Sequence, residues 1–146
     1  MTPIIYGFTG TKHGMTRAQI AVTGYLFFTH KISQLHHGCC MGADIQANTL
    51  AVLQDIETFG HPSNIANTQR SCELTKVFDP YPPLERDKHI VEAGEHGLIA
   101  TPKTAVEQIR SGTWSTVRYA RQANRPIWII CPDGTVKHEP AKKLSL

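Results

Sequence analysis

Three stretches of this 146-residue chain lead through glycine into helices in a way that suits an anion, two of them with hydroxyl side chains as well. They are Gly7-Phe8-Thr9-Gly10-Thr11, His37-Gly38 followed by Gly42-Ala43-Asp44, and Ser111-Gly112-Thr113-Trp114-Ser115-Thr116. Glycine lets the backbone approach a ligand closely. A helix start supplies unpaired N–H donors and a positive dipole end, and hydroxyls add short donors. One such loop also serves as a plain turn or cap; three at one sheet edge point to a phosphate or another anion. Arg86, in Glu85-Arg86-Asp87, adds a guanidinium whose planar fork matches phosphate. Its plainer reading is a surface salt bridge with Glu85 or Asp87. Asp44, in the first turn of a helix, is either a dipole complement or an acceptor for a ribose hydroxyl. His36 and His37 end a strand and point to opposite faces; His37, adjoining the glycine loop, is expected to reach the pocket. The four hydroxyls at Ser111, Thr113, Ser115 and Thr116 exceed what one cap needs, so at least two are expected to meet the anion. Trp114 either stacks on a base or wedges into the core.

These groups need a scaffold that gathers them. Residues 3–8 read as a buried strand, followed by a helix with Thr16 as N-cap. Residues 31–37 read as a second strand, and Ile45, Thr49, Val52 and Ile56 mark one face of a second helix. A short strand is expected near 61–66, a helix over 83–93 with Pro83 in its first turn, and a strand over 96–101. A last helix carries Val117, Tyr119, Ala120 and Ala123, and the strand IWIIC follows. This alternation predicts an α/β fold: a Rossmann-like, doubly wound, mostly parallel sheet of about five strands in a single domain. The domain is expected over 1–134, with a polar tail over 135–146. Ligands bind such sheets at the carboxyl ends of the strands. That rule selects loops 7–14, 37–44, 101–103 and 111–116, and brings Met41 and Thr101 into the expected pocket.

Composition bounds the function classes. Hydrophobic residues are 40% and charged residues 18%, which suits a compact fold and excludes a disordered one. No apolar run reaches the roughly 18 residues of a membrane span. The opening MTPIIYGFTG lacks the basic region of a secretion signal, so a cytoplasmic setting without membrane partners is expected. A net charge of +3 tolerates phosphate ligands without demanding nucleic acid. Cys39, Cys40, Cys72 and Cys131 form no C-x-x-C pair and read as four free thiols. The adjacent pairs His36-His37 and Cys39-Cys40 lack zinc-ligand spacing, so no metal is expected.

Taken in order, Gly7-Phe8-Thr9-Gly10-Thr11, His37-Gly38-x-x-x-Gly42-Ala43-Asp44, Glu85-Arg86-Asp87, Ile99-Ala100-Thr101-Pro102 and Arg110 to Thr116 resemble the SLOG group. That group includes the DNA-processing protein A Rossmann domain and the LONELY GUY phosphoribohydrolases. The likeness covers residues 4–134. Its most specific part, RSGTWSTVRYARQANRPIWII, is similar to the helix-opening Ser-Gly-Ser-x-x-Thr loop of the DNA-processing branch. The resemblance implies a Rossmann-like fold that binds a nucleotide-derived small molecule as a homo-oligomer. The implied pocket is Thr9 to Thr11, Gly38 to Asp44, Arg86 and Ser111 to Thr116. The phosphoribohydrolase branch carries Pro-Gly-Gly-x-Gly-Thr-x-x-Glu, and here the acid falls at Arg118. With that carboxylate missing, binding is favoured over catalysis, and neither a catalytic residue nor a cofactor is expected. Such domains sense or sequester nucleotide signals. A phage sponge for a cyclic-nucleotide or ADP-ribose-type immune messenger is one concrete version. An N-glycosidase or phosphoribohydrolase using Asp44, Asp87 or Glu107 is a second reading. A single-strand DNA binder is a third, against which the modest charge counts.

Overall fold

The computed structural model describes residues 2–143. Its apolar runs become strands β1 (Ile5–Gly10), β2 (Gln34–His37), β3 (Glu57–Gly60), β4 (Lys76–Val77), β5 (Gly97–Thr101), β6 (Ile127–Ile130) and β7 (Val136–Glu139). They form one sheet in the order β4-β3-β2-β1-β5-β6-β7, parallel throughout except for the antiparallel β6–β7 pair. Helices α1 (Arg17–Thr29) and α2 (Ala43–Leu53) pack on each other, as do α3 (Pro83–Ala93) and α4 (Gly112–Gln122). Strand alternation sorts the core between these two layers. Phe8, Ile99 and Ile130 join Phe27 and Ala47 on one side, while Leu98, Ala100, Ile127 and Ile129 join Val91, Trp114 and Val117 on the other. The fold is thus the expected α/β, Rossmann-like, doubly wound sheet, with seven strands rather than about five. The chain leaves β1 leftward through β2, β3 and β4, then returns to β5 on the other side of β1. That reversal is the switch point at which such sheets open a crevice.

The two unexpected strands lie at the sheet edges. β4 is two exposed residues in a proline-rich stretch. β7 lies within the segment read as a polar tail; Val136 to Glu139 pair with β6, and His138 stacks on Trp128 at 4.3 Å. The tail's last three residues, 144–146, lie outside the described residues. A half-solvated edge strand carries too little apolar periodicity to be read from the sequence. The third strand covers Glu57–Gly60, not 61–66, and His61 opens the loop after it. Among the described residues, no helix is long and apolar enough to cross a membrane.

The helices start where their caps say. Thr16 caps α1 in a reciprocal box with Gln19. Gln19, itself buried, donates through Nε2 to the carbonyls of Pro102 and Ile130 at 2.8 and 2.9 Å, tying α1 to the ends of β5 and β6. Pro83 occupies the first turn of α3. The face that α2 buries is Ala43, Asp44, Ala47, Asn48 and Ala51, not the face of Ile45, Thr49 and Val52. The reason is proximity: a Cβ on Gly10 would lie 2.5 Å from the Cβ of Ala43, so only small side chains fit beneath this helix. Gly10→Ala is therefore expected to destabilise the protein by about 1–3 kcal/mol through overpacking, read as a lowered urea midpoint. An unchanged midpoint would show that α2 can lift away without cost.

Candidate functional site

The carboxyl ends of β1 and β5 and the start of α2 are laced together by their own backbone. The Thr11 amide donates to the Thr101 carbonyl at 3.1 Å, and the Ala43 amide to the Thr11 carbonyl at 3.0 Å. Gly42, at φ +86°, turns the chain into α2 where a Cβ would lie 2.7 Å from the Thr11 carbonyl oxygen. The 38–44 loop then closes on itself. Asp44 is buried, and its Oδ2 accepts from the amides of Gly38 and Cys40, both at 3.1 Å. Two donors expected to face an outside anion thus hold the chain's own carboxylate. Asp44 Oδ1 is buried without a partner.

Burial pushes the Asp44 carboxyl above its ordinary pKa, against the opposing pull of His37, the Cys40 and Gly38 amides and Arg86. A folded-state pKa above the unfolded value favours folding most below the unfolded pKa, and that contribution is lost as pH rises through the folded value. Acidification from neutral pH toward the ordinary carboxylate range is therefore expected to raise this group's share of stability. Asp44→Asn removes the ionisation and is expected to flatten that part of the stability curve; Asp87, raised likewise, and His36 and His61, whose lowered values act with the opposite sign, keep the remainder. Urea midpoints measured against pH check this, and parallel curves for the two proteins would refute it.

Arg86 projects from α3 into the same edge. Its Nη1 donates to the carbonyls of Gly38 at 2.8 Å and His61 at 3.1 Å, and its Nε to Asp87 Oδ1 at 2.8 Å. The two side chains are only 12% and 16% exposed, so this is an interior pair and not the surface bridge of the plainer reading. Among the described residues, Nη2 has no protein partner. Gly38 must lack a side chain because a Cβ would strike the guanidinium. Burial raises the Asp87 pKa; Arg86 pulls it back most, and the Thr116 hydroxyl adds a smaller downward pull.

At the start of α4, Ser111 is the N-cap and accepts from the Trp114 amide at 3.2 Å. Thr116 donates its hydroxyl to the Gly112 carbonyl at 3.0 Å. Gly112 is exposed and faces open space: nothing lies within 4 Å of where its Cβ would be. Ser115 is half-buried and Thr113 buried. Thr101 Oγ1 is buried without a partner on the α2 side of the sheet, while Thr9, half-buried, is paired with Ala100 and points to the opposite face.

Several residues expected in the pocket do other work. Gly7 lies within β1 beneath α3, where a Cβ would meet the Ile90 carbonyl oxygen at 2.9 Å; it sets a packing distance. His37 is fully buried, with Nδ1 accepting from the Cys39 amide at 3.0 Å and Nε2–H donating to Asn48 Oδ1 at 2.8 Å. It fastens β2 to α2 and faces no pocket. Trp114 is 3% exposed in the α3–α4 core, so it is the wedge and not a stacking platform. The Met41 amide donates to Thr68, and its sulfur lies 3.7 Å from Arg70. Glu107 pairs on the surface with Arg118 at 3.0 Å and Arg121 at 2.8 Å, so the arginine at the acid position of the phosphoribohydrolase motif also occupies this carboxylate. The sequence reading missed Asn48, the partner of His37, and the hold of Arg86 on the His61 carbonyl; neither leaves a local signal. All four cysteines are free. Among the described residues, no group of three or more His, Cys, Asp or Glu side chains is placed to hold a metal ion.

No family model matches the chain. Over 80 residues, 54% of this chain, it is 32% identical to a probable nicotinate-nucleotide adenylyltransferase of Corynebacterium kroppenstedtii, and it spans only 38% of that protein. The molybdenum cofactor binding protein of Rippkaea orientalis superposes with a TM-score of 0.66 at 20% identity, over 88% of this chain and 77% of that one. The structural-genomics target TM1055 does so with a TM-score of 0.60 at 9% identity, over 84% and 72%. At such identities the likeness to the solved structures establishes the Rossmann-like fold.

Proposed function

We propose that the chain binds a phosphorylated, nucleotide-derived small molecule at the carboxyl edge of the sheet, between Arg86 and the start of α4. The observation that carries this reading is the uncommitted Nη2 of a guanidinium whose other nitrogens are fixed by Gly38, His61 and Asp87. A donor locked in place loses little freedom when an anion arrives. The open Gly112 turn at a helix N-terminus adds a second anion-facing element. Thr9, on the α3–α4 face of β1, and the half-buried Ser115 at the start of α4 are the hydroxyls we assign to this edge. The SLOG resemblance supports the same reading, as do a molybdenum-cofactor binder among the structural neighbours and a partial likeness to a nucleotide-processing enzyme. Sequestration of a cyclic-nucleotide or ADP-ribose-type signal by a homo-oligomer, as in a phage sponge, is the concrete form. Catalysis is disfavoured because Arg118 stands at the acid position and Glu107 is spent on Arg118 and Arg121.

Mass spectrometry of small molecules released from the purified protein tests the class, with a nucleotide-derived phosphate expected. Incubation with AMP and ADP-ribose is expected to leave both intact. Released base, abolished by Asp87→Asn, would establish the hydrolase reading instead. Salt-dependent capture of single-stranded DNA in place of small molecules would establish the DNA-binding one.

A further inference from the structure

We infer that the chain pairs with a second copy of itself through the outward face of α1 and α2, with Phe28 of each copy seated over Gly24 of the other. The two helix layers differ in what they show to water. On the α3–α4 side, Glu85, Lys88, Glu92 and Arg121 are exposed. From Ala18 to Gln54, by contrast, Lys31 and Asp44 are the only charged residues, and Asp44 is buried. Arg17 at the start of α1, and Lys31 and Asp55 just past the ends of α1 and α2, are exposed and form a polar rim. Within that rim Tyr25 is 66%, Phe28 74% and Leu53 76% exposed. A helix that is apolar all round is ordinarily covered all round.

These side chains form one patch. Ala21, Tyr25 and Phe28 recur at helical spacing on the exposed side of α1. Gly24 faces α2: a Cβ there would lie 3.7 Å from Leu50 Cδ2 and 3.8 Å from Gln54 Nε2. Gln54 Nε2 donates to the Gly24 carbonyl at 2.9 Å, which fixes the two helices to each other at this level. Leu53 stands beside Gln54 on the exposed side of α2. A fully exposed Phe or Tyr shows roughly 200 Å², so Tyr25, Phe28 and Leu53 together leave roughly 400 Å² of apolar surface in water, the size that marks an interaction site. The helix pair is about 20 Å long and about 20 Å wide. With Ala21, Thr49 and Leu50 around the three large side chains, it offers the roughly 800 Å² per partner of a stable dimer.

Gly24 identifies the occupant. A glycine inside a helix destabilises it relative to alanine. Nothing in the protomer requires one here: its φ is not positive, and a Cβ would meet only ordinary contacts. What the missing side chain leaves is a notch between α1 and α2. Phe28 lies one turn further along the same helix, its ring exposed beside that notch. A knob and a notch one turn apart on one face match their own image under a two-fold axis, so the ring of each copy enters the notch of the other. A lipid surface would use the ring and not the notch. The inference invokes no ligand and stands apart from the anion reading.

Sedimentation velocity of the full chain, from low to high micromolar concentration, reads the association. Wild type is expected to sediment as a dimer or as a larger even assembly built from it. Phe28→Glu and Leu53→Glu each place a charge in the contact without touching the protomer core. Both are expected to halve the mass and to weaken association about a hundredfold or more, with unchanged circular dichroism. Gly24→Ala gives a pair of opposite signs that only the notch predicts. Through helix propensity it is expected to raise the thermal midpoint of the Phe28→Glu monomer, and by filling the notch to weaken dimerisation of the otherwise wild-type chain about tenfold. Ile109→Glu, at an exposed apolar side chain before α4, is the control and should leave the mass unchanged. A monomeric wild type, an assembly that survives both glutamates, or dimerisation unimpaired by Gly24→Ala would each overturn the inference. Co-flotation of a monomeric chain with phosphatidylcholine vesicles, lost in Phe28→Glu, would overturn it in favour of a membrane-facing patch. Should Phe28→Glu fail to fold, Leu53→Glu takes its place in every arm.

Discussion

Arg86→Ala is expected to cost about 3–5 kcal/mol of stability at neutral pH, the range for breaking a buried ion pair from one side. Three partners are stranded at once: the Gly38 and His61 carbonyls lose a donor, and Asp87 loses the cation beside it. With the carboxyl only 16% exposed, water can replace little of that. The loss should shrink on acidification, because the Asp87 pKa is already raised by burial and a protonated carboxyl no longer needs the guanidinium. Arg86→Lys keeps the charge but not the fork, and should fall between wild type and alanine. Urea unfolding at two pH values checks all three statements. A loss below about 1 kcal/mol would mean that the pair behaves as a surface bridge. Because the structural role is large, loss of ligand binding in Arg86→Ala would not by itself establish contact. Binding must be compared under conditions where the variant is folded.

Trp114→Ala is expected to be as damaging, about 3–5 kcal/mol, because it empties a space in the core beside Val91, Val117, Ala120 and Ile127. Trp114→Phe should cost much less: it keeps an aromatic ring there and removes an indole N–H that has no partner. Thermal or urea unfolding of both variants distinguishes the core role from a stacking role. If Trp114→Ala unfolded like wild type yet lost a bound nucleotide, the tryptophan would belong to the pocket after all.

Much of the scaffold was legible because its signals are local. Thr16 marks the start of α1 by satisfying an exposed amide, Pro83 the first turn of α3 by needing none, and the hydroxyl run from Ser111 to Thr116 the start of α4. Continuous apolar runs marked β1, β5 and β6, which are buried on both faces. β4 and β7 escaped because edge strands need no apolar period, and the face of α2 was misread because apolar spacing says nothing about how near a helix approaches its sheet. Gly10 against Ala43 decides that.

Of the candidate site, only the loops at the carboxyl edge were legible. Glycines, hydroxyls and Arg86 do gather at the carboxyl edge, as a parallel α/β alternation requires. Which of them remain free is another matter. The Gly38 and Cys40 amides are taken by Asp44, His37 by Asn48 and Cys39, and most of Arg86 by Gly38, His61 and Asp87. The alternation along β2 placed His36 and His37 on opposite faces, but only the crossovers show that α2 covers one and leaves a cleft beside the other. The sequence by itself thus determined the class of sheet and the end of it where glycines, hydroxyls and Arg86 collect, since both follow from residue period and helix-start chemistry. Only the tertiary structure decided which donors face outward, because a polar group's freedom depends on partners brought to it from distant parts of the chain.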